Sequence, residues 1–258
     1  MPLVVTPAIV LSALRYSETS KIVRLATLEL GVQSAIAKGA LRPRSRFGAA
    51  LQLLSTGQAQ LLTREHRELH TLTAFDLMHL PIGLTADVDR YAAASALAEV
   101  MLRFGPSAAH PGAFHLLSDA LRILEVAPPA AIGPLALRMV WRLVSVLGFA
   151  PSLVACVRHG TPLPAEGPLA FSTREGGALC ALCAAEHGAT RLPPESRADL
   201  EALLDPAAEL PALDGRHAAA HQRLLGRYVQ YHLGEGMELP ALEFWVRRPW
   251  AAGTPLDE

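Results

Sequence analysis

The chain has 258 residues, of which 51% are hydrophobic and 18% charged, and its formal net charge is −1 at pH 7. This composition is typical of a globular protein and excludes an intrinsically disordered chain. No run of about 18 uncharged apolar residues occurs, and the start lacks the basic segment of a signal peptide. We therefore expect a cytoplasmic protein without a membrane span, built from one to three domains.

Charge is distributed unevenly along the chain. Residues 1–80 contain nine Lys or Arg against five Asp or Glu, a net charge of +4, whereas the remaining residues have a net charge of −5. A basic N-terminal part joined to a mildly acidic remainder favours contact between the N-terminal part and a polyanion.

The first 80 residues have the pattern of short strands separated by polar turns. Apolar runs with β-branched residues occupy positions 8–14, 21–28, 32–37, 50–54, 59–63 and 69–75. Gly31 indicates a turn between the second and third runs. Five or so short strands of this kind predict a small β-barrel over residues 1–80.

From Pro81 onward, apolar residues recur every three or four positions, which predicts helices. The predicted helices cover residues 91–104, 114–124, 135–147, 195–204 and 216–233. Residues 151–194 are instead rich in Gly and Pro and contain all three cysteines. The sequence thus predicts a helical domain over residues 81–150 and 195–245, with an insertion at residues 151–194.

The cysteines form two short elements with metal-ligand spacing. Cys156 and His159 are separated by two residues, as are Cys180 and Cys183. Two such pairs supply the four nitrogen and sulfur ligands of a closed, structural Zn²⁺ site. His187 is a substitute for His159 as the fourth ligand. Unrelated buried thiols and a redox-active cysteine pair are the alternatives.

A cluster of cations follows the third predicted strand. Its members are Lys38, Arg42, Arg44 and Arg46, with Phe47 alongside. Gly39 and Pro43 indicate a loop, and cations on an adaptable loop suit phosphate binding, with an aromatic ring available to stack on bases. The alternative is a solvated turn without a ligand.

Three further observations bear on function. Lys21 and Arg24 are three residues apart on a predicted strand, so they face opposite sides and at most one joins the cationic surface. Arg138 and Arg142 lie one helical turn apart, where they either reach phosphate or cover the core. No GxxxxGK[ST], GxSxG or HExxH motif occurs, so we do not expect an enzyme.

Short segments spread along nearly the whole chain occur in the order found in one known family. They are residues 8–11 (Ala-Ile-Val-Leu), 16–23 (Tyr-Ser-Glu-Thr-Ser-Lys-Ile-Val), 37–40, 44–47, 50–52, 147–153 leading into Cys156, and 231–234. In these segments the chain resembles the RecO family of bacterial DNA-repair and recombination mediators.

The resemblance implies an α+β protein with an N-terminal OB-fold β-barrel, an α-helical domain and an inserted zinc-binding motif. It implies binding of single- and double-stranded DNA, annealing of complementary strands, and assistance in loading recombinase onto strands coated by single-stranded-DNA-binding protein. RecR is the implied protein partner, and the expected location is the cytoplasm, in association with the nucleoid.

The family's functional residues can be carried over by position. The implied DNA contacts are Lys38, Arg42, Arg44 and Arg46, with Lys21 or Arg24 secondary. The implied zinc ligands are Cys156, Cys180 and Cys183, and His159 stands where the family commonly has cysteine. Two other functions compete with this interpretation: a zinc-ribbon module that binds another protein, and a zinc enzyme that acts through one cysteine.

Overall fold

The computed structural model describes residues 2–63, 67–234 and 236–250. The chain divides into two compact units, Met1–Ala127 and Pro128–Glu258. The first unit combines a sheet with helices and the second is mainly helical, so the predicted α+β class is confirmed.

Five strands of the first unit close into a barrel with the order β1-β2-β3-β5-β4. They are β1 (Leu3–Arg15), β2 (Lys21–Thr27), β3 (Gly31–Ala37), β4 (Thr56–Leu62) and β5 (Leu69–His79). β1 pairs with β2 through its second half and with β4 through its first half, and a register shift between Val10 and Ser12 bends it between the two partners. The parallel pairing of β3 with β5 closes the barrel.

The connection between β3 and β4, residues 38–55, is built from turns, so the prediction of a strand at residues 50–54 is wrong. Several of its apolar residues are nevertheless buried: Phe47 and Leu51 belong to the barrel core, and Leu54 is 1% exposed. The apolar residues of this segment form a plug, in which Phe47, Ala50 and Leu51 pack against the inward-facing strand residues of the barrel.

Gly31 shows why the turn between β2 and β3 carries a glycine. Its φ is +72°, and a Cβ atom there would lie 2.3 Å from the carbonyl oxygen of Pro106. The amide of the next residue, Val32, donates a hydrogen bond of 2.8 Å to that same oxygen. A side chain at residue 31 would therefore push the barrel away from the loop that contains Pro106 and Ala108.

Three helices complete the first unit: α1 (Ile82–Thr85), α2 (Val88–Phe104) and α3 (Pro111–Val126). The side chain of Asp87 caps α2 by accepting from the amide of Arg90 at 2.9 Å. The barrel strands end at His79, and the compact unit continues through Ala127. Helices that we expected in the helical domain belong with the barrel.

Within its described residues, the second unit contains five α-helices and a small antiparallel sheet with the order β7-β6-β8. The elements are α4 (Pro129–Val144), a π-helical turn (Ser145–Phe149), β6 (Leu169–Ser172), β7 (Gly177–Leu179), α5 (Ala181–His187), β8 (Thr190–Leu192), α6 (Pro194–Leu204), α7 (Gly215–His232) and α8 (Pro240–Arg247). Trp141 of α4 is fully buried and packs edge-on against Tyr228 of α7, with 5.1 Å between the ring centroids. This aromatic pair joins the longest helices of the unit.

The segment Pro129–Phe149 is long and apolar enough to cross a membrane by length and composition alone, with a mean hydropathy of 1.5. Core helices pass the same test, and α4 packs against α6 and α7. Two arginines, Arg138 and Arg142, interrupt its apolar sequence.

Arg90 joins α2 to the carboxyl end of α3. Its guanidinium donates to the carbonyl oxygens of Leu124 and Ala127 at 2.5 and 2.6 Å, and to that of Glu125 at 3.1 Å. We expect Arg90→Met to lower the free energy of unfolding by about 2 kcal/mol, because three helix-end carbonyls lose a charged donor. Urea unfolding measures this change.

The matched control is Arg122→Met, because Arg122 lies on α3 with its side chain 78% exposed and pairs only with Asp119 among the described residues. Its effect should stay within about 0.5 kcal/mol. Equal losses for the two variants would contradict the capping role of Arg90.

Candidate nucleic-acid interface and metal site

The predicted cations lie together on the surface of the barrel unit, in the first part of the β3–β4 connection. We call residues 38–46 the cationic loop. Successive turns shape it: the amide of Arg42 donates to the carbonyl of Gly39 at 3.1 Å, and that of Ser45 to the carbonyl of Arg42 at 3.0 Å. All four cationic side chains of the loop are exposed: Lys38, Arg42, Arg44 and Arg46.

These side chains are not neutralised within the part of the chain that the structure describes, where none of them forms an ion pair. Their positive charge therefore faces solvent. A surface of this kind attracts phosphate oxygens and releases the counterions that surround a polynucleotide.

Phe47 corrects one expectation. Its ring is only 2% exposed and belongs to the barrel core, so it cannot stack on a base. The guanidinium carbon of Arg46 lies 5.3 Å from the centroid of that ring, at cation–π distance. Phe47 therefore anchors the cationic loop and orients its last arginine.

Lys21 and Arg24 lie on opposite faces of β2, as their spacing predicts. The Lys21 ammonium donates to the carbonyl of Leu51 at 3.3 Å, within the plug that fills the barrel. Arg24 pairs across the sheet with Ser12 and Ser34, on the side opposite the buried Val23. Only Arg24 is thus on the outer face of the barrel sheet.

In the second unit, a tight hairpin presents Cys156 and His159. The Cys156 amide donates to the carbonyl of Thr161 at 2.8 Å, and the Gly160 amide donates back to the Cys156 carbonyl at the same distance. Gly160 has a φ of +67°, which a residue with a side chain adopts at an energetic penalty. A further hydrogen bond of 3.0 Å, from Val157 to Ala178, attaches the hairpin beside β7.

Cys180 and Cys183 are placed by the step from β7 into α5. Cys180 directly follows β7 and is the N-cap of α5, with its carbonyl accepting from the amide of Ala184 at 2.9 Å. Cys183 lies in the first turn of the helix and is 1% exposed. A two-residue separation across a helix start turns both thiols toward the hairpin.

The four donor atoms of Cys156, His159, Cys180 and Cys183 all lie within 4.8 Å of one another. The His159 Nδ1 atom is 3.4 Å from the Cys183 sulfur and 4.0 Å from the Cys180 sulfur. A tetrahedral ion with Zn–S bonds of about 2.3 Å separates its donors by roughly 3.5 to 3.8 Å. The donor set and its spacing therefore fit a metal ion, with His159 rather than His187 as the nitrogen donor.

The thiols affect one another's protonation. Hydrogen bonds from the amides of Cys180, His159 and Arg158 stabilise the Cys156 thiolate. Their effect outweighs that of burial, which raises the pKa, and the pKa of Cys156 is lowered to about 6. Burial, together with the neighbouring Cys180 and Cys156 sulfurs, raises the pKa of Cys183 to about 12. The Cys156 thiolate forms readily, and its negative charge disfavours ionisation of Cys183. A bound cation removes that repulsion, so metal binding and thiol ionisation are coupled here.

Arg138 has a structural role. Its guanidinium donates to the carbonyl oxygens of Ala202 at 3.0 Å and Glu209 at 2.8 Å, at and beyond the end of α6. Burial, and then the neighbouring charge of Arg142, lower the pKa of Arg138. It ties the α6–α7 connection to α4, and these bonds occupy the side chain that we considered for phosphate binding.

Two models of one protein family match this chain. The family model "Recombination protein O N terminal" matches residues 1–81, and "Recombination protein O C terminal" matches residues 85–240. The chain belongs to the RecO family. This confirms the resemblance seen in the sequence.

Two curated relatives show how far the likeness to RecO extends. The DNA repair protein RecO of Symbiobacterium thermophilum is 35% identical over 226 residues, which cover 86% of this chain and 88% of the relative. That of a Nocardioides species is 36% identical over 242 residues, covering 90% and 95%. The match spans both compact units, so this RecO-family chain is related to DNA repair proteins over most of its length.

The four-donor cluster predicts which residues bind metal. We expect His159→Ala and Cys183→Ala each to weaken binding of Co²⁺, a spectroscopic substitute for Zn²⁺, at least about tenfold, because a four-donor site loses one donor. Absorption from thiolate–Co²⁺ charge transfer follows the binding directly.

His187→Ala is the matched control, because the His187 ring lies 3.7 Å from the Glu186 carboxylate and outside the cluster. It should leave the Co²⁺ spectrum unchanged. Loss of the spectrum in His187→Ala with retention in His159→Ala would reverse the ligand assignment.

Proposed function

We propose that this chain is a non-enzymatic DNA-repair and recombination mediator that binds single- and double-stranded DNA and anneals complementary strands. The observation that carries the proposal is the cationic loop, which exposes four cations on the barrel unit of a RecO-family chain. DNA supplies the regularly spaced anions that such a surface binds.

The barrel is proposed to be an OB-fold. Five strands in the closed order β1-β2-β3-β5-β4, with the antiparallel β1-β2-β3 run closed by a parallel β3–β5 pair, support this assignment. OB-folds bind oligonucleotides on the outer face of their second and third strands and on the flanking loops. Arg24 lies on that face.

Annealing by this protein would require no covalent chemistry. Two DNA strands repel each other through their phosphates, and a cationic surface that binds both lowers the repulsion and raises their local concentration. Arginine and lysine contacts to phosphate do not read sequence, so any complementary pair can be brought together. The bases then find their partners by hydrogen bonding and stacking.

Zn²⁺ is the metal that we propose for the Cys3His cluster. Three thiolates and an imidazole are soft and borderline donors, which favour Zn²⁺ over Mg²⁺ or Ca²⁺. When bound, the ion would hold the hairpin against β7 and α5, where the apolar core consists of little more than Cys156, Leu179 and Cys183. Four protein donors complete a tetrahedral shell, so the proposed role is structural.

Two protein partners complete the proposal. We infer that the chain acts with RecR and with single-stranded-DNA-binding protein in loading recombinase, as the family resemblance implies. Residues after position 80 have a net charge of −5, which suits protein contacts better than phosphate contacts. The proposed location is the cytoplasm, on nucleoid DNA.

Replacing the exposed arginines tests the proposal. We expect the triple variant Arg42→Glu/Arg44→Glu/Arg46→Glu to weaken DNA binding by at least about tenfold. The steepness of the plot of log K against log salt concentration should fall by about 2 to 3, because binding releases about one counterion fewer for each phosphate contact that is lost. Fluorescence anisotropy across a salt series measures both quantities. Energy transfer between labelled complementary strands, without nucleotide, measures annealing.

The matched control replaces three exposed arginines outside the barrel, Arg122, Arg174 and Arg191, with Glu. It makes the same change in net charge and should leave binding and annealing close to those of the unaltered protein. Equal effects of the two triple variants would mean that net charge, rather than the cationic loop, governs binding. Absence of DNA binding by the unaltered protein at low salt would reject the proposed function.

A further inference from the structure

The turn between β1 and β2 exposes an aromatic side chain that no other element of the described structure covers. Tyr16 follows the end of β1, and 60% of its surface is accessible to solvent. Its backbone is fixed, because its amide donates to the carbonyl of Ser20 at 3.0 Å across the turn. An exposed ring on an ordered backbone loses little conformational freedom when it binds a flat ligand.

This turn is connected to the cationic loop. The amide of Leu41 donates to the carbonyl of Thr19 at 2.9 Å, so the tip of the β1–β2 turn and the start of the loop are hydrogen-bonded to each other. Leu41 and Leu14 are themselves 37% and 66% exposed. The turn that bears Tyr16 therefore adjoins the positively charged loop, with the exposed apolar residues Leu14 and Leu41 nearby in the chain and across the hydrogen bond, and we call these residues the apolar strip.

The strip continues onto the outer face of the sheet. Leu14 pairs with Ile22, and Ile22 pairs with Ile36, so the three side chains form one row across β1, β2 and β3 on the face opposite the barrel core. Arg24 follows Ile22 on the same face of β2, since side chains two positions apart share a face. Apolar and cationic groups thus alternate along one surface.

We propose that Tyr16 is a stacking platform for an unpaired base, and that it gives the surface a preference for single strands over duplex. The proposal rests on the proposed function, because the cationic loop supplies the phosphate affinity. A single strand offers base faces to a ring, whereas in a duplex these faces are stacked on neighbouring pairs. Phosphate contacts alone do not recognise an unpaired base.

The charges around the ring favour a polynucleotide over a protein as its occupant. Arg15 directly precedes Tyr16, the cationic loop is hydrogen-bonded to the turn through Leu41, and Glu18 is the acidic residue of the turn itself. A ligand that combines regularly spaced anions with flat apolar groups fits this pattern. Every nucleotide of a nucleic acid has both an anionic phosphate and a flat base.

A matched set of ligands tests the platform. The unaltered protein and Tyr16→Ala are titrated with a labelled single strand, with an abasic strand of the same phosphate count, and with a blunt-ended duplex of two fully paired strands. We expect Tyr16→Ala to bind the single strand about tenfold more weakly. The abasic strand and the duplex should be bound equally well by both proteins, because neither offers an unpaired base.

Two further variants separate stacking from other effects. Tyr16→Trp should retain affinity, and its added fluorescence should be quenched by the normal strand but not by the abasic one. Tyr231→Ala is the control, since Tyr231 is a 49% exposed tyrosine of the second unit, and it should bind all three ligands normally. Thermal unfolding of Tyr16→Ala should match the unaltered protein, because the ring is largely outside the core.

Several outcomes would overturn the proposal. An equal loss of affinity for all three ligands would give Tyr16 a phosphate-positioning or structural role, and unchanged binding of all three would leave it no DNA contact. If Tyr16→Ala lost binding to a protein partner but kept its DNA binding, the strip would be the binding site of that partner. In each case the triple variant of the cationic loop would still show whether the proposed function holds.

Discussion

Burial of the β3–β4 connection against the inward-facing strand residues of the barrel is the interaction on which the exposed surface of the first unit depends. The connection contributes Ala40, Phe47, Ala50 and Leu51 to the barrel core. Because Ala40 and Phe47 lie on either side of Arg42, Arg44 and Arg46, their burial fixes the backbone that presents these arginines to solvent. The cations are therefore held on the surface by the burial of their neighbours. The hydrophobic effect provides the anchoring, and the electrostatic surface follows from it.

The second unit depends on a weaker constraint. The hairpin of Cys156 and the start of α5 share very little apolar surface, so backbone hydrogen bonds and the donor cluster hold them together. A metal ion that binds four such donors contributes folding energy directly. Arg138, in the same unit, donates to helix-end carbonyls in the manner of Arg90 in the first unit.

The proposed surface combines two kinds of contact with different physical consequences. Phosphate contacts by the cationic loop are long-ranged, screened by salt and independent of base sequence. Stacking on Tyr16 is short-ranged and requires an unpaired base. A protein that anneals strands must bind them before pairing and release them afterward. A contact that disappears when a base pairs would lower the affinity for the product, and so favour release.

Local sequence by itself determined a large part of this protein. Alternating and helical periodicities located all five barrel strands and the long helices, with one extra strand predicted at residues 50–54, because burial of one face is encoded within each segment. The spacing of Cys156, His159, Cys180 and Cys183 identified the donor cluster, and ordered short segments identified the family.

Tertiary structure decided what periodicity cannot encode. Residues 50–54 have the composition of a strand, and Phe47 that of a stacking aromatic. In the fold, Phe47, Ala50 and Leu51 instead pack inside the barrel, because only the closed sheet creates the space that they occupy. The sequence makes Arg138 a candidate for phosphate binding, but in the folded chain its guanidinium donates to the carbonyl of Ala202 at the end of α6. Tyr16 becomes a neighbour of the cationic loop only when Leu41 bonds to Thr19. Burial and contact between distant residues are properties of the folded chain, and no local pattern contains them.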